Sequence, residues 1–120
     1  MNEKDAEIAR IALEILDRDG WCKGSVCIDY PGASYPLGSH CLGGAWAIAA
    51  GTELHCDNAP LFESLIQVIR DQRPGIDDMI EDVFRGELNL QDIRVITLFN
   101  DLIASTEDDV RVILEKIAAQ

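Results

Sequence analysis

Four cysteines and two histidines are the residues of this chain best suited to chemistry, and their spacing decides which chemistry is open. Cys22, Cys27, His40 and Cys41 lie in one stretch, Gly20 to Gly51, and His55 and Cys56 follow just beyond it. The same stretch holds seven of the nine glycines, both tryptophans and both tyrosines, with Lys23 and Asp29 as its only charged residues. A specific site is therefore expected in or against it.

Structural zinc sites favour ligand pairs spaced by two to four residues. No C-x-x-C occurs, and the neighbours His40–Cys41 and His55–Cys56 would point their side chains apart. No bound metal is expected. Thiol catalysis needs a low-pKa cysteine, a base and a group that orients the base. Cys41 stands where a helix should begin, and N-terminal N–H groups would lower its pKa. His40 or His55 would be the base, and Asn100 or Asp101 the orienting group. Against this, His40 is too close to Cys41 along the chain for easy geometry. No cysteine-protease signature is present, and a cysteine on a buried helix is ordinarily a small core hydrophobe.

The glycines of Gly38 to Gly44 fit neither phosphate-loop pattern, and no Lys or Arg lies between Gly24 and Ile69. A nucleotide there would rest on backbone N–H groups alone, so no cofactor is expected. Asn100–Asp101 interrupts an apolar segment. Such a pair either satisfies local backbone or reaches across to the glycine-rich stretch, lining a pocket with Trp21, Cys22, His40 and Cys41. Both readings are open.

The elements that must position these residues are mostly helices. Ile8, Ile11, Ala12, Ile15 and Leu16 form one apolar stripe over residues 4–18, closed by Gly20 as a left-handed cap, with Trp21 folding back on the helix end. Val26, Ile28 and Tyr30 alternate before the Pro31–Gly32 turn, and one small hairpin returning over Tyr35 to Gly38 is the most this supports. Ser39 is the expected N-cap of an uncharged helix from Cys41 to Ala50, ending at Gly51. A helix apolar all round is buried, so Ala45, Ile48 and Ala49 are expected in the core and Gly44 against another helix. Further helices are expected after an Asp57 or Asn58 cap with Pro60 in the first turn, over Ile76 to Phe84 with Met79, Ile80 and Val83 inward, and over Leu88 to Phe99. The last helix opens on a Thr106/Asp109 capping box and carries Val110, Ile113, Leu114 and Ile117.

Composition sets the surroundings. A chain of 120 residues, 48% hydrophobic, is expected to form one domain, residues 1–120, with a core that needs no staples. Its start lacks the order of a signal peptide and its longest apolar run is too short for a span. A soluble cytoplasmic protein with free thiols is expected. The net charge of −12 argues against nucleic acid and anionic membrane and suits a basic protein partner. From Asp71 to Asp92 seven carboxylates face two arginines. Asp77–Glu81 and Asp78–Asp82 are like-charge i, i+4 pairs, each costing roughly 0.2–0.5 kcal/mol. A solvated surface explains such a cluster; so does a docking face of Asp77, Asp78, Glu81, Asp82 and Glu87.

Three pieces, Gly20-Trp21-Cys22-Lys23-Gly24, Cys41-Leu42-Gly43-Gly44-Ala45 and Phe99-Asn100-Asp101 with Thr106 to Val110 beyond, together resemble a small uncharacterised domain family of actinobacteria and their phages. The likeness covers most of the chain, with Phe99 where that family usually has Trp and residues 74–92 as an addition. The resemblance implies a mainly helical single domain of phage or mobile-element origin, and supplies no activity. The expectation is an all-α fold of five or six short helices around the Gly/Ala-rich helix. Its expected function is non-enzymatic docking on a basic host protein, such as one that binds nucleic acid. The alternative is a small-molecule or nucleotide pocket, or a thiol enzyme, built from Trp21, Cys22, Cys41, Asn100 and Asp101.

Overall fold

A computed structural model describes residues 3–23, 27–28, 39–54, 56–84, 88–89, 92–104 and 106–120. Among these are six α-helices: α1 (Glu3–Asp19), α2 (Leu42–Ala50), α3 (Glu63–Gln72), α4 (Ile76–Phe84), α5 (Arg94–Leu98) and α6 (Glu107–Ala118). A 3₁₀ helix, Cys56–Phe62, leads into α3, and one π-helical turn, Phe99–Ile103, continues α5. Strands β1 (Cys27–Ile28) and β2 (Ser39–His40) pair antiparallel, Cys27 opposite His40 and Ile28 opposite Ser39. The fold is thus a small all-α domain with a minimal two-stranded ladder.

The principal helix contacts close a ring, α1 to α2 to α5 to α3 to α6 and back to α1, while α4 stands outside it on α5. Each helix turns its apolar stripe to the shared core. From α1 come Ile8, Ile15 and Leu16, with Ala9 and Ala12 admitting close neighbours. From α3 come Leu65, Ile66, Val68 and Ile69, and from α6 come Val110, Ile113, Leu114 and Ile117. Each such large side chain contributes about 1.5–3 kcal/mol on burial. Trp46 is fully buried and still satisfied, its Nε1–H donating to Leu61 O at 3.0 Å.

Several ends follow the sequence. Gly20 has φ 91° and its N–H donates to Leu16 O at 2.8 Å, so α1 stops where a left-handed residue can turn the chain. Gly51, φ 72°, ends α2 in the same way. Thr106 and Asp109 form the expected box at α6, the Thr106 N–H donating to the Asp109 carboxylate at 3.3 Å.

Other expectations are corrected. Ser39 does not cap α2; it lies in β2, fully buried, and Cys41 is the cap. Burial of α2 covers Leu42 to Ala47, while Ile48 is 47% exposed and Ala49 half-buried, because the ring closes on the first two turns only. Gly44 is buried as expected, and its neighbour Gly43 also makes a close approach: a Cβ there would sit 2.7 Å from Leu54 Cδ2 and 3.2 Å from Ile96 Cγ2. Met79 points outward, 54% exposed, since α4 meets the core through Ile76 and Ile80. The helix expected over Leu88 to Phe99 begins only at Arg94, where the Asp92 carboxylate accepts the Arg94 N–H at 3.1 Å. Instead of an α-helical cap, Asp57, Asn58 and Pro60 make the 3₁₀ turn. The expected return strand at Tyr35 to Gly38, His55 and Glu87 lie outside the described residues, as do the side chains of Cys27, Cys56 and Val83.

Candidate functional site

The glycine-rich stretch and the Asn100–Asp101 pair do meet, and Asn100 is the joint. The π turn makes this possible. Ala104 N–H donates to Phe99 O at 2.8 Å, the i+5 spacing of a π turn, which widens the helix by one residue. Asn100, fully buried, then reaches three segments at once. Its Oδ1 accepts from Trp21 Nε1 at 2.7 Å and from the Leu42 N–H at 3.0 Å. Its Nδ2 donates to Cys22 O at 3.0 Å and to Asp101 Oδ1 at 3.0 Å. Both lone pairs and both N–H bonds are therefore used. The amide orientation is fixed as well, because the reverse assignment would set donors against donors. One of the four N-terminal N–H groups that α2 cannot satisfy internally is met from the far end of the chain. Trp21 reaches across to Asn100 and packs against the core, with Lys23 Nζ 5.8 Å from its ring centre.

Cys41 supplies a second cap, its Sγ accepting the Gly44 N–H at 3.2 Å. Its thiol is pushed up to about 11, chiefly by burial, which outweighs the lowering effect of the Gly44 and Gly43 N–H groups. The expected helix-terminus activation is overturned. At 4% exposure Cys41 is a neutral, structural thiol. Cys22, also buried and not in a disulfide, donates its S–H to Ser39 O at 3.6 Å.

His40 is held by a residue the sequence reading missed. Its Nε2 lies 2.8 Å from Asp19 Oδ2, at the end of α1. Asp19 also takes a bidentate pair from Arg18, at 2.9 and 2.8 Å. Arg18 first and His40 second hold the Asp19 carboxyl well below the usual carboxylate range. An ionised carboxylate only accepts, so Nε2 carries the proton toward it. The orienting group of His40 is thus Asp19, and neither Asn100 nor Asp101. Among the described residues no three His, Cys, Asp or Glu side chains gather as a metal site.

The acidic face divides into two sets. Asp77 pairs with Arg70 Nε at 3.0 Å, and Arg70 Nη2 donates to Asn89 O at 2.8 Å. The Glu81 carboxylate accepts the Leu88 N–H at 3.3 Å. Asp92 is 6% exposed and grips the Arg94 guanidinium at 2.9 and 2.6 Å, which holds its carboxyl below the ordinary range. Through these contacts the three hold Leu88, Asn89 and Arg94 in place. Asp78 and Asp82 are exposed, one turn apart, and Met79 lies between them on the same outer face of α4.

A groove of about 520 Å³, not anticipated from the sequence, runs between the starts of α1 and α3, lined among others by Lys4, Ile8, Ala50, Leu61 and Gln67. Ser64 Oγ donates to Asp5 Oδ2 on its wall.

The fold and its clamp define a small helical domain with a braced interior and an acidic outrigger helix. The chain belongs to the Family of unknown function (DUF6197), whose family model matches residues 1–120. No curated protein and no solved structure matches it.

Proposed function

We propose that this chain is a non-enzymatic recognition domain that docks the outer face of α4 on a basic surface of another protein. The observation that carries the reading is the pairing of Met79, 54% exposed, with the exposed carboxylates of Asp78 and Asp82 on a helix outside the ring. An apolar anchor rimmed by charge of one sign suits a partner with the opposite charge: the anchor gives affinity and the rim gives approach and orientation. Asp77 and Glu81, engaged with Arg70 and Leu88, stiffen that face. The neutral, capping Cys41 thiol favours this reading over a thiol enzyme. Within this proposal stand a cytoplasmic setting and, from the resemblance, a phage or mobile-element accessory role among actinobacteria.

The test compares wild type with an Asp78→Lys/Asp82→Lys variant, each immobilised and exposed to host lysate at low and high salt. A specific basic protein should be retained by the wild type at low salt, released at high salt, and lost from the variant. Equal retention by both proteins with the same salt response would reject the face.

A further inference from the structure

Cys22 and Cys41 occupy matched positions beside a backbone bridge. The His40 N–H donates to Gly20 O at 2.9 Å and the Cys22 N–H donates to His40 O at 3.0 Å, a parallel bridge between Trp21 and His40. Cys22 and Cys41 each follow this isolated bridge by one residue, and beyond them the Asn100 amide links Cys22 O to the Leu42 N–H. The Cys22 N–H to His40 O bond holds Cys22 beside the residue that precedes Cys41, and a disulfide accepts Cα separations of roughly 4.4–6.8 Å. Both side chains are buried, 0% and 4% exposed, and neither is in a disulfide. Their proximity also registers electrostatically, since Cys22 is one of the groups that push the Cys41 thiol up.

We propose that Cys22 and Cys41 form a dithiol that oxidises to an intramolecular disulfide, stapling the exit of α1 to the entry of α2. Glutathione disulfide is a sufficient oxidant. One cysteine thiolate attacks it, forming a mixed disulfide and releasing one glutathione thiolate. The second cysteine then attacks the mixed disulfide at the protein sulfur and releases the other glutathione. Two protons and two electrons pass to the oxidant, giving two glutathione thiols and one protein disulfide. The bridge already holds the two residues near each other, so the folded chain favours the bond, while burial of both sulfurs makes its formation slow. The pair is therefore read at equilibrium.

The full-length Cys27→Ser/Cys56→Ser variant, with folding checked by circular dichroism, is equilibrated in glutathione redox buffers from both reduced and oxidised starts. The same titration is run in urea sufficient to unfold it. The native chain should form the disulfide with an equilibrium constant at least about tenfold above that of the unfolded chain; a constant equal to or below the unfolded value overturns the proposal. Wild-type protein provides the second measurement, which stands even if the variant does not fold. After the same equilibration, cleavage with trypsin and chymotrypsin separates all four cysteines. The principal linked peptides should join Cys22 to Cys41, and a principal link through Cys27 or Cys56 refutes the pairing.

Discussion

Replacing Asn100 by Asp removes one half of the clamp and leaves the other. The carboxylate is nearly isosteric and still accepts from Trp21 Nε1 and the Leu42 N–H. The Nδ2 donor is lost, so a second oxygen faces Cys22 O and Asp101 Oδ1, each 3.0 Å from the present nitrogen. An acceptor is thereby set against two acceptors in a fully buried position, one of them a carboxylate. An uncompensated buried charge of this kind costs about 3–5 kcal/mol, a large part of the ~5–15 kcal/mol that holds a domain together. Burial and the neighbouring carboxylate both raise the pKa of the new acid. As pH falls through that value the acid becomes neutral and its O–H can donate to Cys22 O. The deficit relative to wild type should therefore shrink between pH 7 and pH 5. Urea unfolding followed by tryptophan fluorescence at both pH values measures this. An Asn100→Leu variant, which loses both halves, serves as the control and should show a deficit that does not change with pH. If Asn100→Asp lies within 1 kcal/mol of wild type at pH 7, with no change on acidification, Asn100 is not the joint described above.

Three further outcomes are expected. Gly43→Val should overpack Leu54 and Ile96 and cost about 1–3 kcal/mol, read as a lower urea midpoint, whereas Gly51→Ala meets no neighbour and loses only the left-handed cap. The Asp19 and Asp92 carboxyls are held low in the folded state, so their contribution is complete above the ordinary carboxylate pKa and is lost as pH falls through the lower folded values. Urea midpoints should drop below about pH 4, and Asp19→Asn should be weaker than wild type at pH 7 with a gap that closes toward pH 2. Asp78→Lys/Asp82→Lys should stay within about 0.5 kcal/mol of wild-type stability, whereas Glu81→Lys, which frees the Leu88 N–H, should lose more by thermal melting.

Where local periodicity dominates, the fold was legible in the sequence. The α6 stripe, the bounds of α4 and the glycine stops at Gly20 and Gly51 are short-range signals that tertiary packing left unchanged, and the α1 stripe holds except at Ile11, which is 36% exposed. What was missed depends on partners distant in the chain. Ser39 is the better cap by propensity, but pairing with Ile28 claims its backbone and passes the cap to Cys41. The contact of His40 with Asp19 exists because Gly20 turns the chain back, which no local spacing encodes. The π turn at Phe99 has no sequence period of its own, although Asn100 did stand out as a polar residue in an apolar run. Charge patterning revealed the acidic cluster, but not that Asp77 and Glu81 serve Arg70 and Leu88, since those contacts need α3 and the segment after α4 in place.

The central claim is that the outer face of α4 is where a partner sits, and site-specific photocrosslinking in the native host tests it most directly. A benzophenone amino acid at position 79 and another at Leu102, an equally exposed apolar position on the π turn, are irradiated in cells. The account predicts one discrete crosslinked product at 79, to a basic protein and sensitive to Asp78→Lys/Asp82→Lys, with no such product at 102. A crosslink at 102 with none at 79, or no discrete product at either, would contradict it.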